Sequence, residues 1–172
     1  MTAASAASVL PLNGPLPGRL TWRFCDFSEL TVLELERIYT ARQQVFVLEQ
    51  NCVYLDADGL DSQSHHLAAW SATHTVPLAC ARLVAPGVKY AEPSMGRVVT
   101  SQAGRGRGLG RELVARLIAH AQTVYPHQGL RISAQSQLEG FYSAFGFVAV
   151  GERYLEDNIP HTEMLLRPFK PS

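Results

Sequence analysis

Apolar side chains at Leu109, Leu113, Val114, Leu117, Ile118, Ala121 and Val124 recur every three or four residues, the spacing of one buried stripe on a helix. Just ahead, residues 95–100 carry the adjacent β-branched pair Val98 and Val99 and predict a strand. Residues 101–110 between them alternate Gly104, Gly106, Gly108 and Gly110 with Arg105 and Arg107, a turn rather than either element. Upstream, the mixed polarity of residues 20–26 suits an edge strand. Residues 28–49 predict a helix through Leu30, Leu33, Leu35, Ile38, Val45 and Leu48, capped by Ser28 or Thr31 and broken near Thr40. Strands are expected at 66–72 and 78–84, joined by a turn at 73–77, with a loop over 87–93. After a break at 126–129 come a short buried strand at 130–134 and a short helix at 137–145 stopped by Gly146. A last hairpin pairs 147–154 with 162–167 across a loop at 155–161.

The 172 residues suit one domain, expected over 19–172, behind an Ala/Ser-rich and then proline-bearing segment, 1–18, read as a flexible tail. Hydrophobic residues make up 47%, enough for a real core. Fifteen basic residues balance fifteen acidic ones, which argues against a general nucleic-acid binder and against an acidic-membrane binder. Cys25, Cys52 and Cys80 form no CxxC and sit in apolar surroundings, so buried thiols in a reducing, cytoplasmic setting are expected rather than a disulfide frame or a zinc site. No run of eighteen apolar residues suggests a membrane span.

Two motifs carry chemistry. A strand that feeds a glycine turn and a helix start makes a phosphate cradle, because the first helical N–H groups lack intrahelical partners and glycine lets backbone approach a ligand. Arg105, Arg107 and Arg111 add positive charge to it. A Mg·nucleotide loop needs Lys-Ser or Lys-Thr after the glycines, and a dinucleotide fold needs GxGxxG with a later acid; the chain has neither. An Arg-Gly RNA-binding loop is a weaker alternative for so short a run. Asp56, Asp58, Gly59 and Asp61 fail the calcium-loop spacing, and with His65 and His66 they lack a metal-ligand pair spacing. They are expected to be turn-forming acids before a strand, and no metal site is expected.

The run Arg105-Gly106-Arg107-Gly108-Leu109-Gly110 resembles the [QR]xxGxG pyrophosphate motif of the GNAT superfamily of acyl-CoA-dependent N-acyltransferases. Phe141-Tyr142-Ser143-Ala144-Phe145-Gly146-Phe147 resembles that family's FYxxxGF segment. Val45-Phe46-Val47-Leu48-Glu49-Gln50-Asn51-Cys52, with Tyr54, Asp56, Asp58, Gly59 and Asp61, resembles the ElaA-like subgroup. The resemblance covers roughly residues 20–168. It implies an α/β fold with a mixed, mainly antiparallel sheet, a parallel splayed pair from the strands at 95–100 and 130–134, and flanking helices. It implies acetyl-CoA as acyl donor, a primary amine as acceptor, and no metal.

By the same resemblance, the cofactor is held by backbone at Val98, Val99 and Thr100 and by Arg105, Gly106, Arg107, Gly108, Leu109, Gly110 and Arg111. Gln135 stands where the family often has a cofactor-contacting Asn. Tyr142 is the candidate general acid, with core packing as the competing reading. Several relatives use a Glu on the central strand as base, but residues 95–100 hold no acid. Glu49, His66 and His161 are the candidates, His161 through proximity to the cofactor end of the sheet if its strand runs antiparallel to 130–134. Arg97 is expected to pair with a carboxylate. A catalytically weak acyl-CoA sensor or interaction module is the alternative function, and a monomer or homodimer is expected.

Overall fold

The computed structural model describes residues 19–168; the tail expected over 1–18 lies outside the described residues. Its elements are β1 (Leu20–Asp26), α1 (Val32–Gln43), β2 (Ser64–Ser71), β3 (Ala79–Val84), β4 (Ser94–Thr100), α2 (Leu109–Val124), β5 (Leu130–Gln135), α3 (Glu139–Ser143), β6 (Val148–Ala149), β7 (Tyr154–Glu156) and β8 (Ile159–Leu166). They form one mixed sheet in the order β1-β2-β3-β4-β5-β8-β6, with β7 also on β8. β4 and β5 are the parallel pair, and the other ladders are antiparallel.

Both faces of the sheet are covered, which explains why β3 is buried along its whole length and, Arg82 apart, reads as small and apolar residues. On one face the α2 stripe of Leu109, Leu113, Val114, Leu117 and Ala121 packs on Leu67, Ala69, Ala81, Leu83, Ile132 and Ala134. On the other, Ile38 and Ala41 of α1, with Val45, pack on Ala68, Cys80 and Val99. The alternation of Leu67, Ala68 and Ala69 between the two clusters is the period-two pattern of a strand.

The predicted helix over 28–49 is one capped helix with a widened end. Thr31 is the N-cap, and it and Glu34 bond reciprocally as a capping box: the Glu34 N–H donates to Thr31 Oγ1 at 3.2 Å and the Thr31 N–H to Glu34 Oε2 at 2.9 Å. The break falls after Gln43, where Gln44–Glu49 open into a π-helical turn, instead of near Thr40. The final hairpin is tighter than expected. Asp157 and Asn158, at φ +49° and +63°, form a two-residue turn, so the segment expected as a loop over 155–161 is mostly paired strand, with Glu156 opposite Ile159.

Two irregularities in β4 create the site. First, β4 pairs with β5 only at Ser94 opposite Arg131; beyond it the strands diverge and their facing edges lack strand partners. Second, Arg82 lies opposite Gly96 but Cys80 lies opposite Val99, so two residues of β4, Arg97 and Val98, answer one of β3. This is a β-bulge, and Arg97 sits in it at φ +52°.

Candidate active site

The wedge between β4 and β5 is a cleft of about 180 Å³. Gly96, Arg97 and Val98 form one wall and Ser133, Ala134 and Gln135 the other. Tyr142 from α3 and His161 from β8 reach it, the latter because Gln135 lies directly opposite His161 in the β5–β8 ladder. Val98 faces the cleft, whereas the Val99 side chain turns away into the α1 cluster.

At the end of β4 the chain enters the glycine turn. Gly106 and Gly108 adopt φ +71° and +76°, and Gly108 is the N-cap of α2. The places a Cβ would take at both are open, and the first N–H groups of α2 follow directly. Leu109 anchors the turn in the core, and Gly110 packs against Thr100, a Cβ there lying 3.2 Å from Thr100 Oγ1. The Arg105 Nε–H donates to the Thr100 carbonyl at 3.2 Å, and its guanidinium pairs with Glu49 at 2.5 Å. Arg111 lies over the rings of Phe141 and Phe145, at 5.8 and 5.6 Å from their centroids. Arg107 flanks the same turn.

Tyr142 is 7% exposed and packs edge-on against Phe141 and Phe147. Burial pushes its phenol up to about 12, so it carries its proton at neutral pH. No described residue hydrogen-bonds the hydroxyl. His161 Nδ1 lies 2.8 Å from the Ile159 carbonyl, which can only accept; Nδ1 therefore holds the proton of the neutral ring and Nε2 is left as a base. Glu49 is outside the cleft lining, in its ion pair with Arg105. Its neighbour Gln50 is in the lining and accepts a bond from Gln135 Nε2 at 3.2 Å, tying the π-turn to β5. His66 is buried away from the cleft, its Nε2 donating to the Asp61 carbonyl at 3.2 Å.

Beside the cleft stands a charge lattice that the sequence reading missed. Asp56, Asp58 and Asp61 are ion-paired to Arg42, Arg82 and Arg97 rather than being simple turn formers. Asp56 and Asp61 are buried, as are Arg42 and Arg82. Burial works to raise the Asp58 and Asp61 carboxyls, but the arginines outweigh it and hold both below the usual carboxylate range. A signal existed: Arg82 and Arg97 interrupt otherwise apolar strands, and a charge so placed needs a partner.

The acetyltransferase (GNAT) domain family matches residues 37–168. A UPF0039 protein of Synechocystis is 44% identical over 148 residues, 86% of this chain and 96% of that protein. ElaA of Escherichia coli is 35% identical over 147 residues, covering 84% and 95%. Among solved structures, an acyl-CoA N-acyltransferase from Pseudomonas aeruginosa aligns with a TM-score of 0.82 at 41% identity, covering 86% of this chain and 99% of that one. The Escherichia coli ElaA structure aligns at 0.80 with 33% identity, over 87% and 100%.

Proposed function

The chain belongs to the GNAT acetyltransferase family and is an acyltransferase, and from that premise we propose that it moves an acetyl group from acetyl-CoA to a primary amine by direct attack, with no acyl-enzyme. The observation that carries this reading is the splayed β4–β5 cleft, lined by a tyrosine that keeps its proton and a histidine with a free Nε2.

The residues fit the donor. The open left-handed turn at Gly106 and Gly108 and the N–H groups of Leu109 and Gly110 would hold the pyrophosphate, with charge from Arg105, Arg107 and Arg111. Since Arg105 is engaged by Glu49, an incoming pyrophosphate would compete with that carboxylate. The edge of β4 that faces β5, at Val98, Val99 and Thr100, would hold the pantetheine arm and the acyl carbonyl, and Gln135 would contact the donor from β5. CoA supplies an activated thioester; the protein orients it and moves protons. His161 Nε2 takes the proton of the attacking amine, and Tyr142 gives its proton to the departing sulfur as the C–S bond breaks. Glu49 is the weaker base candidate because it faces Arg105. Cys25, Cys52 and Cys80 are free and buried, which supports a reducing, cytoplasmic setting. Among the described residues no helix is long and apolar enough to cross a membrane.

The test is purified protein with acetyl-CoA and a panel of amines, followed by thiol release and product mass. Acetylated amine with matching CoA release supports the proposal. CoA binding without release above hydrolysis for every amine favours the alternative, an acyl-CoA sensor, a reading that draws on the lack of a carboxylate in β4.

A further inference from the structure

The bulge in β4 is held from outside the sheet. Arg97 Nε lies 2.9 Å from Asp56 Oδ1, and its terminal nitrogen donates to Asp58 Oδ2 and to the Asp56 carbonyl, each at 3.1 Å. Tyr54, whose hydroxyl bonds Asp56 at 3.2 Å, places its ring 5.4 Å from the Arg97 guanidinium. The anchors are themselves anchored. Asp58 takes both terminal nitrogens of Arg82 at 2.7 Å, and Asp56 meets Arg42 at 2.9 Å. Asp61 meets Arg42 at 2.7 Å and Arg82 at 3.2 Å. Three cations and three anions thus alternate, and the lattice runs from α1 through β3 to the bulge. Arg42 and Arg82 are buried, whereas the Arg97 side chain is 20% exposed; Arg82 and Arg97 both line the cleft.

A non-glycine residue at positive φ is strained and persists only where its surroundings impose it. The bulge also decides which face each later residue meets, since a one-residue slip in a strand inverts its side chains. Beyond it Val98, which lines the cleft, packs on the α2-side core and Val99 enters the α1 cluster. We infer that Asp56 and Asp58 are positioning residues, a clamp acting through the Arg97 side chain to hold the β4 bulge and so aim the backbone N–H groups that bind the acyl carbonyl. This rests on the proposed role of the β4 edge. Ion lattices of this kind add little net stability and serve better to fix a unique geometry.

The test reads carbonyl recognition without turnover. Two probes are compared by calorimetry: a ketone analogue of acetyl-CoA with CH2 in place of sulfur, and S-ethyl-CoA, which lacks the carbonyl. Wild type should prefer the ketone by roughly threefold to tenfold, the worth of one net hydrogen bond. Asp58→Asn loosens the clamp and Arg97→Ala removes it, and both keep a strained non-glycine residue at position 97. Either variant, if folded by circular dichroism, should lose the preference and bind CoA itself as before, and Asp58→Glu should keep part of it. A folded variant of either kind that retains the full preference overturns the clamp alone. Wild type that binds CoA without preferring the ketone overturns both the clamp and the carbonyl site. Wild type that binds no CoA overturns the proposed function as well.

Discussion

In the proposed mechanism Tyr142 is core and acid together. Its ring packs edge-on against Phe141 and Phe147, the residue lines the cleft, and burial keeps the phenol protonated. Tyr142→Phe keeps the packing and removes only the acid. The expected result is a fall in kcat of roughly 10²–10⁴-fold with unchanged CoA affinity by calorimetry; normal turnover would make Tyr142 a packing residue. For His161, the Nε2 left as a base predicts a loss of rate: His161→Gln removes the acceptor for the amine proton and should lower kcat/KM by roughly 10²–10⁴-fold with CoA affinity unchanged by calorimetry. Cys52 also lines the cleft, so direct attack predicts that Cys52→Ser stays active and that no acetyl group is trapped on it during turnover. Cys80 is a poorer nucleophile still, its thiol pushed up to about 12 by burial. Tyr142, His161 and Gln135 were all readable as candidates in the sequence. The pairing of Arg97 was anticipated too, but not its partners, which lie about forty residues away and meet it only across the sheet.

At the scale of elements, the glycine turn and the α1 cap make separable predictions. The sequence suggested that Gly108 is needed to leave room for phosphate. In the structure the room is present, and the requirement is φ +76° at the N-cap of α2. Gly108→Ala should therefore cost about 1–2 kcal/mol in stability and weaken CoA binding by distorting the helix start, both readable in one thermal-shift titration. Unchanged Tm and unchanged affinity would remove the turn from this account. Thr31→Ala should cost about 0.5–2 kcal/mol in chemical denaturation with no effect on CoA affinity, since the capping box lies outside the cleft. α2 was legible from its helical stripe, β4 from its β-branched pair beside the glycine turn, β5 from a short apolar run after a break, and β1 from the mixed polarity of an edge. The last hairpin was legible as a pairing but not in its turn, because Asp157 and Asn158 were read as part of a longer loop.

For the whole molecule, the charge lattice links stability to pH. Burial lowers the His66 pKa below its unfolded value near 6.5, so an unfolded chain takes up this proton first. The His66 contribution is complete above about pH 6.5 and is lost as pH falls through its folded pKa. Asp58 and Asp61 are depressed as well, so their contribution stands above about pH 4 and disappears as pH falls through their folded values. Tm should therefore decline between pH 7 and 5, and His66→Gln should flatten that decline while leaving the acid-side loss below pH 4. An unchanged slope in the variant would place the titration elsewhere. The sequence by itself determined the order of the main elements, the glycine cradle and the aromatic helix with Tyr142, because local periodicity and turn chemistry reside in neighbouring residues. Only the tertiary structure decided the cleft, the bulge and the lattice of Arg42, Asp56, Asp58, Asp61, Arg82 and Arg97. Those depend on strand register and on the meeting of charges far apart in the chain, and a buried charge finds its partner through space rather than along the sequence.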